Sequence, residues 1–181
     1  MIRIITICTL IVLSLWSGSF SAQSGSSTVL KIVLHPVQTI ELSAMDQNVN
    51  LTYKTKQDYS QGVSLNRDNH LKVYSTGGYV VNVRTLDAKL KSAGSDAYIN
   101  AGDITLTASK GSASGSDSFT TVPVQLSSAD TAFITSATGT SSSSYSVTYA
   151  AKGEDAFINH YSTGQDPTVY STEVLYSILP H

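Results

Sequence analysis

Apolar and polar residues alternate with a period of two along much of this chain. Leu71, Val73 and Ser75 are interleaved with Lys72 and Tyr74, and Tyr79, Val81 and Val83 with Val80, Asn82 and Arg84. That rhythm predicts strands with one face on a core. Thr76, Gly77 and Gly78 lie between the two runs, and glycine can take the positive φ that tight hairpin turns require. Residues 70–86 therefore read as a β-hairpin. Val49, Leu51 and Tyr53 alternate in the same way with Asn50, Thr52 and Lys54, and Ile104, Leu106 and Ala108 with Thr105, Thr107 and Ser109. Tyr145, Val147 and Tyr149 form another inward set. In the closing stretch Tyr170, Thr172, Val174, Tyr176 and Ile178 can line one face.

The segments between are read by their breakers. Residues 29–34 (VLKIVL) form a mostly apolar run expected to be a buried strand, stopped by His35-Pro36. The run resumes over 37–42, and a proline between two short runs suggests a strand that bends or switches sheet at an edge. Residues 56–62 read as a loop or single helical turn and 63–65 as a short strand. The stretch 66–69 (NRDN) has the polar side chains of a turn. Residues 86–94 have helical content for one or two turns, while GSASGSDS (111–118) and TGTSSSS (138–144) read as flexible loops. Further strands are expected at 122–126 and 131–134, and 150–166 lacks any period. The count is roughly eight to ten short strands separated by Gly, Ser, Asn and Pro turns, an all-β pattern of sandwich or barrel type. No fixed-period repeat is visible, which argues against a solenoid or propeller.

The first stretch departs from this pattern. Arg3 supplies a positive start, Ile4 to Leu15 is largely apolar, and Ser17, Gly18 and Ser19 follow before Phe20-Ser21-Ala22-Gln23. This is the layout of a secretory signal peptide over 1–22; a membrane anchor needs about 20 apolar residues. A flexible leader (23–28) and one β domain (29–181) follow. Cys8 and Trp16, the only cysteine and tryptophan of the 181 residues, both lie in the leading segment. Residues 23–181 thus offer no disulfide, thiol nucleophile or thiolate metal site, which fits a bacterial surface protein better than an animal ectodomain. Without Arg3 the balance is 10 basic to 13 acidic side chains, sparse and mixed. No basic face is present for nucleic acid, nor a basic patch for anionic lipid.

Catalytic chemistry finds little support. Gly111-Ser112-Ala113-Ser114-Gly115 places Ala113 where a hydrolase elbow needs its serine. His35, His70, His160 and His181 lack the spacing of a helical zinc pair and read as surface or strand-end residues. His160 stands apart because it falls in the irregular segment, where functional loops lie. Asp117 and the pair Glu154-Asp155 are the acids that a calcium site built from several loops would use, but no D-x-D-x-D-G run accompanies them. No catalytic residue, metal or cofactor is expected. The most distinctive feature is the 10 tyrosines. Tyr53, Tyr145, Tyr149, Tyr170 and Tyr176 fit inward periodicity. Tyr59, Tyr98 and Tyr161 fall in expected loops and are the candidate ligand-binding residues, since a tyrosine offers a rigid ring and a hydroxyl. Asn50-Leu51-Thr52 matches an N-glycosylation acceptor, and Asp130-Thr131-Ala132 resembles the O-glycosylation site of exported Bacteroidota proteins.

The signal-like start, HLKVYSTGGYVVNV (70–83) and the closing YSTEVLYSIL (170–179) together resemble exported β-sandwich subunits of bacterial surfaces. A final strand that opens with tyrosine and alternates to its end is similar to that of spore-coat-U-like and fimbrial-subunit-like domains. It is similar also to the end of wall-binding WxL domains, with Tyr176 near the place of their tryptophan. What this resemblance implies is an immunoglobulin-like sandwich used for assembly or adhesion. The expectation is a secreted, periplasmic or surface-displayed structural or adhesive protein, not an enzyme. Its partners would be protein, either itself or other envelope components. The alternative is a module that binds carbohydrate or peptidoglycan through loop tyrosines.

Overall fold

β-Branched and aromatic residues fill the ladders of the structure, a computed structural model that describes residues 24–43, 47–93, 96–112, 118–164 and 166–181. The expected signal peptide lies outside the described residues. The chain divides into two units, Met1–Leu34 and His35–His181. In the first, the described residues 24–34 enter no strand or helix and are exposed throughout. The expectation of a buried strand at 29–34 is therefore corrected: Val29, Leu30, Ile32, Val33 and Leu34 are between 73% and 86% exposed.

The second unit is predominantly β. Its described strands, in chain order, are β1 (Gln38–Leu42), β2 (Val63–Ser75), β3 (Tyr79–Thr85), β4 (Lys89–Ser92), β5 (Tyr98–Asn100), β6 (Ile104–Lys110), β7 (Phe119–Thr121), β8 (Val124–Gln125), β9 (Thr131–Ser136), β10 (Thr140–Ala151), β11 (Tyr170–Ser171) and β12 (Val174–Pro180). One short helix, α1 (Lys56–Gln61), precedes β2. The strands form three antiparallel sheets ordered β1-β2-β10-β6-β8, β12-β3-β9-β7 and β11-β4-β5. β2 and β10 run longer than the periodicity suggests, while other stretches are cut into shorter pieces. β7 and β8 flank Val122-Pro123, where proline cannot donate to a ladder.

The first two sheets share one core. Leu71 and Val73 of β2, Leu106 of β6 and Tyr145, Val147 and Tyr149 of β10 meet Tyr79, Val81 and Val83 of β3 and Phe133 and Ile134 of β9. Each fully buried aliphatic side chain among them contributes about 1.5–3 kcal/mol relative to exposure. β3 shows strict alternation of buried and half-buried residues from Tyr79 to Thr85. β10, central in its sheet, is buried on both faces from Ser143 to Val147. Two hydroxyl pairs tie the sheets through this core. Tyr79 Oη bonds Tyr145 Oη, and Tyr149 Oη bonds Tyr176 Oη at 2.7 Å.

Several local expectations are overturned. β2 and β3 do not form a hairpin: β2 pairs with β1 and β10, β3 with β12 and β9. Their inward residues face the core as expected, but from different sheets. Periodicity reports which face is buried and says nothing of the ladder partner. Neither Gly77 nor Gly78 takes a positive φ. Gly78 allows a close approach instead: a Cβ there would meet the Ala137 carbonyl oxygen at 3.0 Å, tighter than most such contacts.

The expected turn at 66–69 lies inside β2. Between Arg67 and Leu71 that strand has three residues where β10 has only Ser146. This bulge is held by Asn69 at φ 51. Asn69 Oδ1 accepts from Ser112 N (2.8 Å), Ser112 Oγ (3.0 Å) and Ser144 Oγ (2.9 Å). The bulge turns His70 into the core at 2% exposure, where its Nε2 bonds Tyr149 Oη at 2.9 Å. His70 is thus no surface histidine. The helical reading of 86–94 also fails, for β4 pairs with β5 and β11. The stretch 140–144 (TSSSS) belongs to β10, where Ser143 Oγ pairs with Thr140 Oγ1 and Ser144 Oγ donates to Asn69 Oδ1. Val49, Leu51 and Tyr53 do alternate half-buried with exposed residues, yet they join no ladder.

Candidate functional site

Two places stand out among the described residues: a concavity beside α1 and the exposed apolar run at 29–34. The concavity is built from local rules. Thr55 caps α1 by accepting from Asp58 N at 3.2 Å. In return Asp58 Oδ2 accepts from Thr55 N (2.7 Å) and Lys54 N (2.8 Å). Those two backbone bonds, that from Lys54 first, hold the Asp58 carboxyl below the usual carboxylate range. Gly62 ends the helix at φ +84, donating its N–H to Asp58 O at 2.9 Å.

Gly62 and Gly153 let two backbones touch. A Cβ on Gly153 would meet the Gln61 carbonyl carbon at 2.4 Å, and one on Gly62 the Ala151 carbonyl oxygen at 2.4 Å. Glu154 N then donates to Ser60 O (2.8 Å) and Asp155 N to Tyr59 O (2.9 Å). The chain winds on through tight turns in which Glu154, Asp155 and Asn159 all take left-handed φ, between 54° and 71°. Phe157 is buried beneath them, edge-on to Tyr53 with centroids 5.2 Å apart, and Tyr53 lies 5.3 Å from the Tyr59 ring. Tyr53 Oη donates to Lys152 O at 2.6 Å, and burial pushes its phenol up to about 12.

The result is an open concavity of about 620 Å³ between α1 and the turns of 155–161. Tyr59, Phe157, Ile158 and Tyr161 supply its apolar wall, and Gln57 and Asn159 its amides. Tyr59 and Tyr161, two of the three candidate tyrosines, are brought together here. Tyr59 stands on α1 and is half-buried, while Tyr161 is 61% exposed. Tyr98 does not join them. It belongs to β5, not to a loop, and Lys89 Nζ lies 3.5 Å from its ring centroid, a cation–π contact that occupies one ring face.

His160 sits beside the concavity without lining it. Its ring lies edge-on to Phe157 and close to Tyr170, with centroids about 6 Å from each. Its carbonyl accepts from Tyr170 Oη at 2.7 Å. This is a packing role. The expected acids divide: Glu154 and Asp155 are turn residues, and Asp117 lies outside the described residues, as do Ala113, Ser114 and Gly115 of the GSASG stretch. Among the described residues no three His, Cys, Asp or Glu side chains are grouped to hold a metal.

The second place is the run at 29–34, whose five large apolar side chains face solvent. β1 and β12 each end a sheet. Leu86 N donates to Glu173 O and His181 N to Gly78 O. By the alternation of an antiparallel ladder, the backbone groups of Val174, Tyr176 and Ile178 then turn outward. No family model and no curated protein matches the sequence.

Proposed function

We propose that this chain is an exported structural or adhesive component of a bacterial envelope, built as an immunoglobulin-like β-sandwich and joined to its neighbours by strand addition. The observation that carries this reading is the run 29–34, apolar in five of six positions and exposed outside any strand. A contiguous apolar surface of that kind marks an interaction site. An extended apolar segment finds its natural partner at a sheet edge, where backbone hydrogen bonds supply affinity and alternate side chains supply fit. β1 and β12 offer such edges, and neither is blunted by an outward lysine. The signal-like start and the low, mixed charge suit an exported protein that works by contact.

Light scattering of the exported form over a range of concentrations tests the proposal. Assemblies should grow with concentration and disappear in Ile32→Pro, which removes a ladder donor from a residue the fold does not bury. A wild type that stays monomeric at every concentration, or assemblies untouched by Ile32→Pro, would overturn it.

A further inference from the structure

We infer that the concavity between α1 and residues 155–161 is a binding site for a neutral saccharide. The inference does not depend on strand addition, since it concerns a different surface of the folded unit. Its first support is shape held in advance. The facing walls are locked by Glu154 N to Ser60 O and Asp155 N to Tyr59 O, and by a glycine-to-glycine backbone contact that no side chain would permit. A site whose walls are already fixed loses little entropy on binding.

Its second support is backbone strain in one place. The described non-glycine residues with left-handed φ are Asn69, Glu154, Asp155 and Asn159; Asp155 and Asn159 line this wall and Glu154 directly precedes it. Asn69 has its own explanation in the β2 bulge. Residues held in sparsely populated backbone regions cluster at ligand sites because the surroundings over-determine them. Glu154, which adjoins the wall without lining it, has no short side chain to favour that region.

The lining chooses the ligand. Lys56 and Asp155 balance one another in charge, so neither an anion nor a cation is favoured. Gln57 and Asn159 offer amide donors and acceptors that suit hydroxyl groups. Tyr59 and Tyr161 offer flat rings with a polar tip, and the apolar C–H face of a pyranose packs on such a ring. A peptide added as a strand would need a free ladder edge, and the walls here are a helix and turns.

The test is a titration of the ¹⁵N-labelled exported form with cellotetraose, mannotetraose and chitotetraose, followed by amide shifts. Saturable shifts at Gln57, Ser60 and Asn159 are expected with at least one of them. Tyr161→Ala should weaken that binding by about tenfold or more while leaving the remaining spectrum and the assembly state as in wild type. Because the Tyr161 ring is largely exposed, its loss does not threaten the fold. No saturable shift with any of the three, shifts centred elsewhere, or affinity unchanged in Tyr161→Ala would each overturn the inference. Loss of binding with assembly retained, or the reverse in Ile32→Pro, separates this site from the assembly surface.

Discussion

Removing one oxygen from the core, by Tyr149→Phe, should destabilise the protein far more than its size suggests. Tyr149 Oη touches His70 Nε2 at 2.9 Å and Tyr176 Oη at 2.7 Å, linking two strands of one sheet to an edge strand of the other. Phenylalanine keeps the ring and leaves almost no cavity, so the cost comes from the two polar groups left behind. A buried group deprived of its hydrogen bond costs about 1–3 kcal/mol. Tyr176 is mostly buried and its phenol is pushed upward by that burial, so it gains little from water in exchange. With His70 at 2% exposure, the expected loss is about 2–4 kcal/mol, or a Tm lower by roughly 4–16 °C for a chain of this length. Guanidinium unfolding followed by circular dichroism would measure it. Tyr74→Phe, on the solvent face of β2, is the control and should stay within about 0.5 kcal/mol of wild type. The double variant Tyr149→Phe with Tyr176→Phe should lose less than the sum of the two singles, because both members of that pair are then apolar. A Tyr149→Phe protein as stable as the control would refute the idea that these hydroxyls hold the sheets together.

Asn69→Ala should cost about 2–3 kcal/mol, from a left-handed backbone without glycine or asparagine and from three hydrogen bonds to Ser112 and Ser144. Asn69→Gly keeps the backbone and should recover about 1 kcal/mol of that loss; equal stabilities for the two, by denaturant unfolding, would contradict the bulge argument. Asp58 tests the α1 cap by pH. Its folded pKa is depressed, so its contribution is present above the ordinary carboxylate value of about 4 and is lost as pH falls through the lowered one. Asp58→Asn should therefore speed exchange of the Gly62 amide at neutral pH, with the difference from wild type shrinking in acid. A constant difference across that range would argue against the carboxylate as the cap.

The legible part of this fold was the part with one wet face. β3 and β6 each have solvent or partial solvent on one side, so their apolar residues recur every second position. The start of β10 is opaque for the opposite reason. Both of its faces are covered, and Ser143 and Ser144 are tolerated there because Thr140 and Asn69 satisfy their hydroxyls. A serine run reads as a loop until its partners are known. The same holds for His70, which is inward only because a bulge opposite Ser146 turns it there. For the site, Tyr59 and Tyr161 were legible as tyrosines in irregular segments. Their meeting rests on Gly62 against Gly153, a contact between residues distant in sequence that carries no local pattern. Tyr98 shows the limit of that logic: a tyrosine on a short strand has its ring covered by the lysine of the neighbouring one.

Residues 23–181 contain no cysteine, and this changes how the two larger sheets are kept in register. Small exported domains commonly tie sheets with a disulfide, which acts mainly by restricting the unfolded chain. Here the corresponding ties are hydroxyl pairs, Tyr79 with Tyr145 and Tyr149 with Tyr176, which act only in the folded state. Such bonds are directional, so they penalise a one-residue slip of β10 or β12 that an aliphatic core would partly forgive. They also leave the unfolded chain unrestricted, as a disulfide would not. The arrangement puts specificity in the core and leaves the outer edges of β1 and β12 without one. On the strand addition proposed above, completing such an edge with another chain would leave the register inside undisturbed.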